Sequence, residues 1–161
     1  MKKIAIIGAG ISGLFIANLF KKSSGYKVVI YEKNNSINLE EGYGIQLSVN
    51  SVKLLNEIEF DRFKNDKKFN PKKINFYSSK NFNKICDLDI SDFNSENCKY
   101  TTLKRSDLVN FLKKDVEDLI KLNHNVSRID KQNQRIQLGF ENNENFECDY
   151  LIISDGVFSK S

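Results

Sequence analysis

The chain has no tryptophan, a single proline at Pro71, a single histidine at His124 and only three cysteines in 161 residues. It also lacks any apolar run near the roughly 20 residues that a membrane-crossing helix needs. No leader pattern opens it, because Lys2 and Lys3 precede a short apolar stretch and then glycines. These absences lead us to expect a cytoplasmic protein with no integral membrane segment. Cys86, Cys98 and Cys148 are odd in number, far apart and without CxxC spacing. Neither a disulfide framework nor a zinc site fits that pattern, and no metal ligands are assigned; three reduced thiols in or near a core are expected. The net charge of +4 comes from lysine pairs with acids interleaved. That is the pattern of a solvated surface and not of a nucleic-acid groove.

What is present is concentrated at the start, in KKIAIIGAGISG. Ile4 to Ile7 read as a strand buried on both faces, and Ile11 to Phe20 carry apolar residues at helical spacing. Gly8, Gly10 and Gly13 therefore fall at a strand-to-helix turn. Gly8 suits a tight turn, Gly10 lets the backbone approach a phosphate, and Gly13 lets the helix pack closely on the strand. The helix start supplies unpaired N–H groups and a partial positive charge, so Ile11 and Ser12 join the glycines as candidate pyrophosphate-binding positions. Gly25 is expected to end that helix. Val28 to Tyr31 form a second buried strand, and Glu32 at its end lies about twenty residues past the last glycine, where an acid accepts bonds from ribose hydroxyls. Lys33 beside it is a further candidate. A carboxylate there repels a 2′-phosphate, so the pattern points to FAD or NAD rather than NADP.

Further along, KNNSINLEE reads as a loop and GYGIQL as a tight path flanked by Gly42 and Gly44, with Ser48 or Asn50 capping a helix that carries Val52, Leu54, Leu55 and Ile58. Residues 74–78 and 85–90 read as a hairpin with Cys86, Leu88 and Ile90 alternating with Ile85, Asp87 and Asp89. A short strand at 100–103 enters a helix near Arg105, with Leu108, Phe111, Leu112, Val116 and Leu119 as its apolar stripe. Residues 120–131, 134–140 and 145–148 read as an antiparallel ribbon. Leu151 to Ile153 form a last buried strand, leading into Ser154, Asp155 and Gly156.

In order and content, GAGISG with Glu32, GYGIQL with its helix, LKRSDLVNFL and YLIISDGVFS resemble the FAD-dependent aromatic hydroxylases. That group includes para-hydroxybenzoate and ubiquinone-biosynthesis hydroxylases. The resemblance spans the chain but covers only the amino-terminal portion of such an enzyme. It implies an α/β fold: a Rossmann-like FAD-binding domain over 1–161 with a parallel central sheet, helices on both faces, an antiparallel crossover, and residues 70–100 beginning the substrate-domain sheet. By position it implies that Arg105 reaches the phosphate and ribityl region, that the backbone at Val126 lies beside the adenine, and that Asp155 and Gly156 contact the cofactor. By the same resemblance Tyr43 and Gln46 lie on the segment that borders the flavin, with packing or loop tethering as the alternative reason for them. His124 reads as surface or adenine-edge structure and not as a general base.

The implied chemistry is hydroxylation of an electron-rich aromatic substrate with FAD, oxygen and NADH or NADPH. The family's second half is expected to be missing, so no catalytic residue is assigned and the chain is expected to be catalytically incomplete. Flavin-dependent prenyl-chain reductases share the pattern, and the lack of tryptophan removes the halogenase WxWxIP signature. A non-catalytic FAD- or NAD-binding module and an NAD-dependent dehydrogenase fragment are the other readings. An exposed apolar face on the hairpin stub is expected to favour self-association.

Overall fold

The computed structural model describes residues 1–37, 43–157 and 159. Gly42 lies outside the described residues. In chain order the elements are β1 (Lys2–Ile7), α1 (Ile11–Lys21), β2 (Tyr26–Tyr31), β3 (Gly44–Leu47), α2 (Val49–Asn56), β4 (Lys73–Tyr77), β5 (Lys84–Asp89), β6 (Thr101–Lys104), α3 (Arg105–Lys113), β7 (Ile120–Lys121), β8 (Val126–Gln132), β9 (Arg135–Phe140), β10 (Asn145–Cys148) and β11 (Tyr150–Ile153). They divide into two compact units, Met1–Glu41 with Leu108–Ser161, and Gly42–Asp107.

The first unit is Rossmann-like. Its parallel sheet has the order β11-β1-β2-β7, with Ala5 level with Val29 on one side and Leu151 on the other. Side chains at one level of a parallel sheet share a face. Ala5 and Tyr31 meet Leu138, Phe140 and Cys148 of a second sheet in a buried cluster, with Val29, Val126, Ile136, Phe146 and Leu151 packed around it. That second sheet is antiparallel, in the order β10-β9-β8. Burial holds the Tyr31 hydroxyl and the Cys148 thiol above their ordinary pKa values, so this thiol stays protonated and inert.

The alternate residues Ile4, Ile6 and Ile30 are also fully buried, as are Leu14 and Ala17 of α1, which packs on β1 and β2. Each such aliphatic side chain contributes about 1.5–3 kcal/mol. Asn18, also buried, donates through Nδ2 to Leu14 O at 2.8 Å and Leu112 O at 2.7 Å, which ties α1 to the end of α3. Among the described residues α1 thus covers one face and the β10-β9-β8 sheet the other. The expectation of helices on both faces is corrected, because the apolar alternation of β9 and β10 supplies a second sheet for the other.

Two local expectations are also corrected. Residues 120–131 are not one strand: Ile120 and Lys121 pair in parallel with Ile30 and Tyr31. The chain then leaves the sheet through Asn123 in the left-handed region (φ 57). Asn123 and His124 donate their N–H groups to Asn34 O at 3.0 Å and Glu32 O at 2.9 Å, which fixes the break. Gly25 does not cap α1, which stops at Lys22; the Gly25 carbonyl instead accepts the Lys2 N–H at 3.1 Å.

In the second unit β3 pairs antiparallel with β6, and the Ser48 side chain caps α2 by accepting the Ser51 N–H. The hairpin β4–β5 is amphipathic. Ile74 faces Leu88 and Phe76 faces Cys86, while Lys73 and Lys84 both reach Asp87, at 3.0 and 2.5 Å. The two ammonium groups push the Asp87 carboxyl down to about 2. Phe76 and Leu88 are 47% and 48% exposed, and Cys86 is exposed rather than close to a core.

Asp149 staples the far end of the parallel sheet. It accepts the Lys3 N–H at 2.7 Å and meets Lys2 Nζ and Arg135 Nη1, both at 3.2 Å. The Lys3 N–H above all, then Lys2 and Arg135, hold its carboxyl below the usual range against a smaller opposing effect of burial. A depressed folded pKa stabilises above the unfolded value, about 3.9 for Asp, and that stabilisation fades as pH falls through the folded value. Asp149→Asn should therefore lower the melting temperature at pH 6–7. In melts followed by circular dichroism, the gap from the parent should narrow steadily below about pH 4.

Candidate functional site

The β1–α1 turn is built on close approaches of backbone to backbone. Gly8 has φ +98, a conformation that L side chains rarely adopt, and a Cβ there would lie 2.8 Å from the Ser154 carbonyl carbon and 3.0 Å from Asp155 Cα. A Cβ on Gly13 would press into the Gly8 carbonyl oxygen and lie 2.8 Å from Ser154 Oγ. Ser154 in turn donates both its N–H and its hydroxyl to Ile7 O, each at 2.8 Å. Gly8 donates its own N–H to Tyr31 O at 2.8 Å. The first glycine turn and the Ser154-Asp155-Gly156 turn are thus packed together at the carboxyl ends of adjacent parallel strands.

Gly10 differs from its neighbours. Its backbone is extended (φ −78, ψ −176), and a Cβ there would meet nothing within 4 Å. Nothing in the described chain requires a glycine at that point. Gly10 is the N-cap of α1, and neither a side-chain cap nor an acid in the first turn covers that end. The Ile11 and Ser12 N–H groups therefore begin a helix whose positive end is not neutralised by its own residues. Gly156, at φ +86, likewise has no atom within 4 Å of a notional Cβ.

Glu32 faces this loop. It is only 9% exposed, and its Oε2 accepts the Ala9 N–H at 2.9 Å. Oε1 accepts the backbone N–H of Asn34 at 3.0 Å and its Nδ2 at 2.8 Å. Ala9 and Asn34 carried no signal in the sequence beyond proximity to the motif. Lys33 is exposed. Val126 is half-buried at the start of β8, against the cluster that holds Tyr31.

His124 is not a surface residue. It is 9% exposed, with its ring centroid 5.3 Å from Tyr31 and 5.0 Å from Phe140. Its Nδ1 lies 2.6 Å from Leu122 O and its Nε2 lies 3.1 Å from Glu144 Oε2. A single histidine without periodic context gave no hint of this burial. Arg105 belongs to the second unit and begins α3, where its N–H donates to Tyr43 O at 3.1 Å. In that unit Tyr43 is exposed and Gln46 accepts the Tyr100 hydroxyl at 2.8 Å. The loop, Glu32, Asp155 and Gly156 are thus gathered on one unit, whereas Arg105 stands on the other.

Residues 6–39 match the family model of an NAD(P)-binding Rossmann-like domain. No curated protein matches the chain in sequence. Among solved structures, a Photorhabdus luminescens protein assigned as an FAD-containing monooxygenase shares 24% identity at TM-score 0.80, over 99% of this chain and 41% of its own. HpxO of Klebsiella pneumoniae, complexed with FAD and uric acid, shares 20% identity at TM-score 0.80, over 96% of this chain and 39% of its own. The 2,6-dihydroxypyridine-3-hydroxylase of Arthrobacter nicotinovorans shares 17% identity at TM-score 0.77, over 96% of this chain and 37% of its own. These likenesses show the fold, and the chain spans about two fifths of the length of the structures it matches. Among the described residues, no helix is long and apolar enough to cross a membrane.

The three glycines should separate in a stability assay. Gly13→Ala forces backbone apart and is expected to cost about 1–3 kcal/mol. Gly10→Ala changes a helix cap with free space around it and should cost less, about 0.5–1 kcal/mol. Urea unfolding of both variants beside the parent checks the contrast.

Proposed function

We propose that this chain is the FAD-binding part of a flavin-dependent monooxygenase that hydroxylates an electron-rich aromatic ring with NADH or NADPH as electron donor. The observation that carries this reading is the space at Gly10. The fold has its own packing reasons for Gly8 and Gly13, but a glycine at position 10, over an uncapped helix start, is explained by a phosphate approaching the backbone. In this reading the Ile11 and Ser12 N–H groups take the pyrophosphate and Glu32 takes the adenosine ribose. Lys33 stands at the solvent edge of the same grip. Val126 offers backbone to the adenine, while Asp155 and Gly156 lie beside the flavin in contact with the cofactor and Arg105 supplies a forked cation for phosphate.

FAD supplies the redox and oxygen chemistry when bound, and the protein supplies its grip and orientation. An aromatic substrate is supported by two neighbours whose names carry uric acid and a dihydroxypyridine, both electron-rich rings. A cytoplasmic location belongs to the same proposal. So does self-association of the isolated chain through the half-exposed face of Phe76 and Leu88.

A second reading, an NAD-binding domain, is favoured by the NAD(P)-binding model that matches residues 6–39. The anionic Glu32 counts against a 2′-phosphate there. Titration of the purified chain with FAD and with NAD, followed by calorimetry, decides between them: tighter binding of FAD is expected. Gly10→Ala should weaken FAD binding while leaving the unfolding midpoint close to that of the parent. Glu32→Ala should weaken FAD by about 1–3 kcal/mol through lost bonds to a charged acceptor. Unchanged affinity in both variants would remove the loop from the binding site.

A further inference from the structure

The Glu32 carboxylate does not stand free at the end of β2. Three N–H groups hold it: that of Ala9 on Oε2 at 2.9 Å, and the backbone and side-chain N–H of Asn34 on Oε1 at 3.0 and 2.8 Å. Two of the three come from Asn34, one from its backbone and one from its side chain. Asn34 is itself fastened, because its carbonyl accepts the Asn123 N–H at 3.0 Å while the Glu32 carbonyl accepts that of His124 at 2.9 Å. The clamp therefore runs from the β7–β8 connection through Asn34 to one carboxylate oxygen.

A carboxylate has about four acceptor positions. With three filled by fixed donors, its plane is set and the remaining capacity points one way. A glutamate on a free side chain would sample several rotamers and lose entropy on gripping a sugar. One held in place binds a hydroxyl without that loss.

We infer that Asn34 is a positioning residue, one that fixes the Glu32 carboxylate so that the site selects an adenosine ribose carrying a free 2′-hydroxyl. This rests on the nucleotide-binding reading above. The geometry makes Asn34 act through Glu32 and not on the ligand itself, so loss of its side chain should reduce discrimination at the sugar and not merely weaken binding overall.

The test compares ADP with 2′-deoxy-ADP as competitors of FAD on the full chain. The parent should prefer ADP about tenfold, as expected for a hydrogen bond to a charged group. Asn34→Ala keeps the backbone N–H on Oε1 and loses only the Nδ2 bond, so it should bind ADP about threefold more weakly and lower that preference to about threefold, with 2′-deoxy-ADP hardly affected. Asn34→Gln, which keeps an amide donor, should restore part of the preference, and it carries the test if the alanine variant fails to fold. An equal loss for both nucleotides would overturn the inference, since that is the mark of a residue that only holds the loop. So would wild-type preference in Asn34→Ala. If the parent binds neither FAD nor ADP, the nucleotide reading itself falls and takes the inference with it.

Discussion

Everything at the candidate site depends on three stretches of main chain meeting with no side chain between them. Gly8, Gly13 and the Ser154 backbone approach so closely that a single methyl at either glycine would overlap main-chain atoms. Ser154 secures the contact by spending its N–H and its hydroxyl on Ile7 O. Sterics therefore set the turn more firmly than hydrogen bonds do, because a methyl inside a carbonyl's contact shell is relieved only by moving backbone. That rigidity holds the uncapped start of α1 beside the open space at Gly10.

On this frame, electrostatics are arranged by short links and not by large charges. The uncapped end of α1 is positive, and the Glu32 carboxylate is bonded to the Ala9 N–H within the turn itself. The carboxylate and the helix end thus belong to one connected patch. The His124 ring against Tyr31 and Phe140 backs the strand that ends in Glu32, so packing in the second sheet reaches the polar patch through β2.

The β1–α1–β2 unit was legible because its determinants are local. Glycine spacing, two apolar runs and an acid at a fixed offset each act within a few residues, and the hairpin showed itself by alternation. The parts that were not legible depend on distant partners. The break after Lys121 is fixed by bonds to Asn34 O and Glu32 O, some ninety residues earlier in the chain, and no local pattern encodes it. Likewise the second sheet covers β1 because Leu138, Phe140 and Cys148 find Ala5 and Tyr31, and the burial of His124 follows from the same encounter. Gly25 misled because a glycine after a helix suggests a cap, whereas Lys22 ends α1 in ordinary helical geometry.

The pairing of β1 with β11 has a consequence for the order of events in folding. Ser154 and Ile7, which meet in the turn, are separated by 147 positions, with the whole second unit lying between them in the sequence. Closing so long a loop is slow compared with forming the local β1–α1–β2 unit. A nascent chain can therefore coil its first helix early, yet its glycine turn stays without the partner that shapes it until the last strand has left the ribosome and docked.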